Sequence, residues 1–225
     1  MCGRFALTLP NEAMVRLFNA RPANDLPPVP RYNICPTTPI HTVRSAEDGR
    51  WLAPMRWGFI PHWYKSPDDG PLIINARAES LATRPAFREA ARKRRCLIPA
   101  SGFYEWEKAP DGKRLPWYIV PAEGEVMAFA GIWQDWTDPE SGERLRTCAI
   151  VTTDAGPDIA HIHNRMPVII APDDWALWLG EAGKGAALLM RPAPAGSLRA
   201  WRVSRRVNAR TAEGPELIEP LEPAS

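Results

Sequence analysis

At 225 residues, 45% apolar and 24% charged, the chain is long enough to bury a full core and has the balance of a soluble globular protein, and its net charge of +2 permits nucleic-acid contact without arguing for it. Cys2, Cys35, Cys96 and Cys148 lie far apart with no C-x-x-C spacing, and His41, His62, His161 and His163 form no ligand cluster with them, so the common zinc arrangements are excluded, there is no sign of a disulfide framework, and neither metal nor cofactor is expected. With no signal peptide and no apolar run near bilayer-spanning length, the expectation is a cytoplasmic protein without membrane contact, in a compartment that keeps thiols reduced.

In chain order, Phe5 to Leu9 reads as a short strand, and Asn11 as the N-cap of a helix presenting Met14, Leu17 and Phe18 on one face. Arg21 to Pro30 is a proline-rich loop. Ile40–Arg44 and Arg50–Trp57 are strands joined around Glu47-Asp48-Gly49, followed by an aromatic loop, Trp57 to Trp63. Leu72 to Glu79 begins as a buried strand and ends polar, and a basic helix runs from Ala86 to about Arg94. Strands follow at Cys96–Pro99, Gly102–Glu107, Leu115–Val120, Val126–Trp136 and Leu145–Thr153. A loop carries His161 and His163, Asp173 caps a short helix over Asp174–Leu179, and Leu198–Val203 is the last strand. The 25 prolines work against long helices, and no βαβ alternation occurs. The expected fold is α+β: a single domain with an antiparallel, partly closed β-barrel-like core and a few short flanking helices, ending in a loosely held tail from about residue 214 to 225.

The most distinctive position is Cys2. Removal of Met1 would leave an α-amine and a thiol on one residue. The amine, with a reference pKa of about 7.7–8.0, is partly unprotonated at neutral pH and adds to aldehydes, and the thiol can close onto the resulting imine as a thiazolidine. By position alone, the commoner reading of Cys2 is a small apolar residue opening a strand.

Four further stretches carry chemistry. In Gly102 to Glu107, strand alternation puts Phe103, Glu105 and Glu107 on one face, with Tyr104 and Trp106 on the other. A buried Glu105 among aromatics would have its pKa raised into the range of a proton donor at pH 7; on an edge strand it would face solvent. Asn75-Ala76-Arg77-Ala78-Glu79 offers an orienting amide and an anion clamp, or a loop-stabilising Asn75 with an Arg77–Glu79 ion pair. His161 and His163 would face the same way in extended chain, and with no third ligand a single acid–base histidine fits better than a metal. The aromatics from Trp57 to Trp63 could hold an unstacked base or fill a core.

Taken in order, these pieces resemble one family. They are Met1 to Phe5, Arg31-Tyr32-Asn33 with Pro36, Trp57-Gly58 with Pro61 and Trp63, Ile74 to Glu79, Arg95 to Pro99, and Gly102 to Trp106. Ala130 to Trp133, Ile150 to Thr153, His163-Asn164-Arg165-Met166-Pro167, Val203-Ser204, Val207-Asn208 and Pro215 to Ile218 complete the series. The chain resembles the SRAP (SOS-response-associated peptidase) family over most of its length.

The resemblance implies covalent attachment to abasic sites in single-stranded DNA, with a weak lyase activity from the same imine. It implies that Cys2 supplies amine and thiol, Glu105 helps open the sugar and moves protons, His163 assists at the ring oxygen, and Asn75 holds the terminus and sugar in register. It assigns DNA contacts to Arg4, Asn33, Trp63 and Arg77, and to Arg84 as the basic residue expected after Asn75. The chain departs from many relatives at Tyr64-Lys65-Ser66, and His161 is extra to the motif. The partner implied is single-stranded DNA carrying abasic sites, with nucleoid association when bound; nothing in the sequence suggests more than a monomer. Two alternatives stand beside this: an N-terminal-cysteine peptidase helped by Glu105 and His163, and a non-covalent single-strand binder.

Overall fold

The computed structural model describes residues 2–221. In chain order the strands are β1 (Phe5–Leu7), β2 (Ala20–Pro22), β3 (Arg31–Ile34), β4 (Pro39–Ala46), β5 (Gly49–Trp57) and β6 (Asn75–Arg77). Then come β7 (Arg95–Ala100), β8 (Gly102–Lys108), β9 (Arg114–Pro121), β10 (Met127–Thr137), β11 (Arg144–Asp154), β12 (Arg165–Pro167) and β13 (Leu198–Arg202). The helices are short: α1 (Asn11–Phe18), α2 (Arg88–Lys93) and α3 (Trp175–Leu179).

Two sheets form the α+β architecture expected. Strands β11, β10, β7, β4 and β5 are neighbours in that order, and a parallel pairing of β5 with β11 (Thr147 opposite Arg56, Cys148 opposite Trp57) closes them into a five-stranded barrel. Strand β2 extends the barrel sheet beyond β5, and β6 and β12 both pair with β11. The second sheet runs β13-β9-β8-β1-β3 and is antiparallel throughout.

Side-chain alternation along β1 and β8 decides how the sheets stack. Phe5 and Phe103 point into the barrel-side core, where Phe5 meets Trp57 edge-on at 5.2 Å and Phe103 meets Phe129 at 5.8 Å. Each such side chain withdrawn from water contributes about 1.5–3 kcal/mol. Their neighbours Ala6 and Tyr104 point the other way, into a smaller cluster with Tyr118, Val203, Val207 and Leu217. The sheet is therefore covered on both faces. Gly102 makes the close approach to β9 possible, because a Cβ there would lie 2.3 Å from the Tyr118 ring.

Several local expectations are corrected. Asn11 is the first residue of α1 and does not cap it with its side chain; its Oδ1 accepts from His41 Nε2 at 2.9 Å, and the Pro10 carbonyl takes the first amides instead. The segment Leu72 to Ile74 is no buried strand: Leu72 is 52% exposed, and the strand begins only at Asn75. Asp173 caps nothing, since Pro172–Asp174 is a 3-10 turn leading into α3. The tail expected to be loose is packed as far as it is described. Leu217 is fully buried, Trp201 Nε1 donates to the Ile218 carbonyl at 2.8 Å, and the Leu221 amide bonds to Arg202 at 2.8 Å. Residues 222–225 lie outside the described residues. Among the described residues, no helix is long and apolar enough to cross a membrane.

Candidate active site

Strand register brings Cys2 and Glu105 together. β1 and β8 run antiparallel with Phe5 opposite Phe103, and the Tyr104 amide donates to the Arg4 carbonyl at 3.0 Å. Continuing that register backwards from Phe5 and forwards from Phe103 brings the residues just after Cys2 alongside Glu105. The barrel delivers the other two groups. β6 pairs with β11, Asn75 opposite Ile150, and β12 pairs with the end of β11, Arg165 opposite Asp154, so the segments that carry Asn75 and His163 are both laid along the C-terminal half of β11.

Asn75 reaches across the seam between the sheets, where its Nδ2 donates to the Cys2 carbonyl at 3.0 Å. Cys2 is fully buried, with its Sγ 3.9 Å from the Arg4 carbonyl. Burial, and then the charge of Glu105, push the thiol above the ordinary cysteine pKa, so it is held protonated. Glu105 is 2% exposed, and burial raises its carboxyl from the ordinary 4.5 to about 7.

His163 Nε2 lies 3.9 Å from Glu105 Oε2. A charged pair would lower the carboxyl pKa and raise the imidazole. Both groups move the opposite way, since burial also lowers His163 below its ordinary 6.5. Near neutral pH the site therefore holds a partly protonated carboxyl beside a neutral imidazole, a pair that can give and take protons.

The residues expected to contact DNA fall into three places. Arg77 and Arg84 are exposed and, with Asn75, Ser80 and Phe87, line a cavity of about 570 Å³. Trp63 is 49% exposed, set edge-on to His62 at 4.9 Å. Arg4 and Asn33 are bonded to each other: Arg4 Nη1 donates to Asn33 Oδ1 at 3.0 Å and to the Val207 carbonyl at 2.5 Å, and Nη2 donates to the Asn208 carbonyl at 3.3 Å. Asn33 is buried, and its Nδ2 donates to the carbonyls of Ala209 (3.0 Å) and Ala212 (2.9 Å). Both side chains thus tie the N-terminal strands to residues 207–212.

His161 does not share the direction of His163, because the chain turns rather than extends there: the amides of Ile162 and His163 both bond to the Ile159 carbonyl. His161 is exposed, edge-on to Trp117 at 5.5 Å. The proposed Arg77–Glu79 ion pair is replaced by one to Arg165, which was not singled out as a site residue. Arg165 is 9% exposed, and its guanidinium takes both oxygens of Glu79 (2.8 and 3.0 Å), Asp154 Oδ1 (2.8 Å) and the Thr152 carbonyl (2.8 Å). Its place in the His163-to-Pro167 motif was visible, but its partners come from distant strands. Among the described residues, no group of three or more His, Cys, Asp or Glu could hold a metal.

A model of the SOS response associated peptidase (SRAP) family matches residues 1–210. The abasic site processing protein YoqW of Bacillus subtilis is 36% identical, with 97% of this chain and 99% of that protein aligned. The abasic site processing protein YedK of Escherichia coli is 32% identical over 98% of this chain and 100% of its own. The abasic site processing protein HMCES of Gallus gallus is 32% identical over 81% of this chain, which spans 61% of that longer protein. A crystal structure of a Bacteroides thetaiotaomicron protein shares the fold, with a TM-score of 0.87 at 22% identity over 98% of this chain and 100% of its own.

Proposed function

Because this chain belongs to the SOS response associated peptidase (SRAP) family and aligns end to end with proteins named for abasic site processing, we propose that it captures abasic sites in single-stranded DNA covalently through Cys2. The observation that carries the reading is the Asn75–Cys2 hydrogen bond of 3.0 Å at a seam where Glu105 and His163 stand 3.9 Å apart.

The chemistry follows from the states of those groups. An abasic deoxyribose in its open form bears an aldehyde at C1′. Once Met1 is removed, the unprotonated amine of Cys2 adds to C1′, and Glu105 in its acid form protonates the departing hydroxyl as water, leaving an iminium and a Glu105 carboxylate. The buried thiol then gives its proton to that carboxylate while sulfur bonds to C1′ and the C=N electron pair returns to nitrogen. The product is a neutral thiazolidine, and Glu105 is protonated again. Thiol addition is intramolecular, so orientation by Asn75 supplies much of the rate. At the imine stage, loss of a proton from the adjacent carbon with expulsion of the 3′ phosphate gives a weak lyase side reaction.

The test is a denaturing gel of the protein with an oligonucleotide carrying one abasic site. A heat-stable shifted band is expected from wild type and none from Cys2→Ala. An equal band from Cys2→Ala, or from a fusion that leaves residues ahead of Cys2, would refute capture by the terminal amine.

A further inference from the structure

His163 meets the backbone of Arg165 twice at one atom. The Arg165 N–H donates to His163 Nδ1 at 2.9 Å, and the Arg165 carbonyl oxygen lies 3.1 Å from the same nitrogen. A neutral imidazole protonated at Nε2 uses the first contact and accepts at Nδ1. One protonated at Nδ1 uses the second and donates. A single partner at Nδ1 would select one tautomer, whereas a donor and an acceptor side by side accommodate both.

The backbone of Arg165 is held still by its own side chain. The guanidinium is anchored on Glu79 from the turn after β6, and on Asp154 and the Thr152 carbonyl of β11. A planar fork with several acceptors in place has little freedom left.

We propose that Arg165 is a positioning residue whose clamped backbone lets His163 present either a proton or a lone pair from Nε2 without turning its ring. This rests on the reading of His163 as an acid–base helper. With Nε2–H, His163 donates a hydrogen bond to an oxygen in the site. With Nδ1–H on the Arg165 carbonyl, Nε2 takes a proton from substrate or Glu105, and the resulting imidazolium returns it from the same atom. Forming and reversing a crosslink call for these opposite abilities at one place. Besides Glu105 and Arg165, the charge of Arg114 on β9 bears on the ring.

Two-bond proton–nitrogen NMR spectra of the His163 ring, recorded on the protein alone above the pH at which it titrates, test this directly. Wild type is expected to show shifts between those of the two pure tautomers, and Arg165→Met to shift them toward the mostly Nε2–H balance of free imidazole. Glu79→Gln, a change at a half-exposed side chain, should shift them part of the way. The crosslinking rate of either variant should fall about tenfold or more, as when a partner orienting a functional imidazole is removed. Affinity for undamaged single strands should be retained, and the double variant should be no slower than Arg165→Met. A ring locked in one tautomer and unmoved by both variants would overturn the proposal, as would a loss of strand affinity equal to the loss of rate. If wild type forms no crosslink, the covalent reading fails, and the ring spectra alone still decide the role of Arg165.

Discussion

Asn75 donates to the carbonyl of Cys2 at 3.0 Å, and this contact joins the barrel to the residue just ahead of β1 in the second sheet. An amide that holds a backbone carbonyl orients everything attached to that residue, its nitrogen included. Asn75→Ala should therefore reduce the single-turnover crosslinking rate by about a hundredfold, within the range lost when well-oriented reactants are misplaced. The loss of stability should be only about 1 kcal/mol, the net worth of one hydrogen bond. Rate measurements beside urea melts separate the two effects, and a rate loss matched by general unfolding would contradict an orienting role.

Glu105 sets the pH response. Its carboxyl titrates at about 7 in the folded protein against an ordinary 4.5, so between those values the folded state binds more protons than the unfolded. Its contribution to stability is fully present below about 4.5, declines as pH rises through about 7, and is level above that. Glu105→Gln should abolish this slope in denaturant melts. For the reaction, the terminal amine gives a limb that rises with pH and Glu105 one that falls, so the rate should peak near neutrality. The variant should lose the falling limb together with about a hundredfold in rate.

How far the site was legible depends on the range of each contact. The alternation from Phe103 to Glu107 was enough to separate Glu105 from Tyr104, because side-chain direction in a strand is a local property, but it left open whether Glu105 faces core or solvent, which the second sheet's packing decides. The family resemblance grouped Cys2, Asn75, Glu105 and His163, and the fold brings Asn75 to Cys2 and His163 to Glu105. What stayed hidden depends on pairing between distant segments. The parallel seam of β5 with β11 closes the barrel, yet neither strand carries a mark of it. Asn11 looked like a cap because its partner His41 is remote in sequence, and the bonds from Asn33 to the carbonyls of Ala209 and Ala212 come from the far end of the chain. The run from Leu72 to Ile74 was apolar enough for a core strand, but it lines the cavity beside Arg77 instead.

The C-terminal segment supports the site rather than trailing from it. Leu217 fills the cluster of Tyr104 and Tyr118, and Val207 and Asn208 receive the guanidinium of Arg4. Leu217→Ala should cost about 2–5 kcal/mol, as expected for a fully buried leucine. A lowered urea midpoint with an unchanged slope would show it. A midpoint equal to wild type would mean that this cluster adds nothing to the fold.

Arg77, Arg84 and Trp63 are exposed, so their variants should change binding without changing stability. If each arginine neutralises one phosphate, Arg77→Ala and Arg84→Ala should each make the dependence of log affinity on log salt shallower by about 0.7 for single-stranded DNA. Trp63→Ala should weaken binding by about 1–3 kcal/mol if a base stacks on the indole, and it should leave the salt slope as it was. Fluorescence anisotropy across a salt series distinguishes the two kinds of contact. An unaltered slope in Arg84→Ala would place that residue outside the strand's path, and an unaltered affinity in Trp63→Ala would leave the cavity beside Asn75 as the surface that holds the lesion's neighbours.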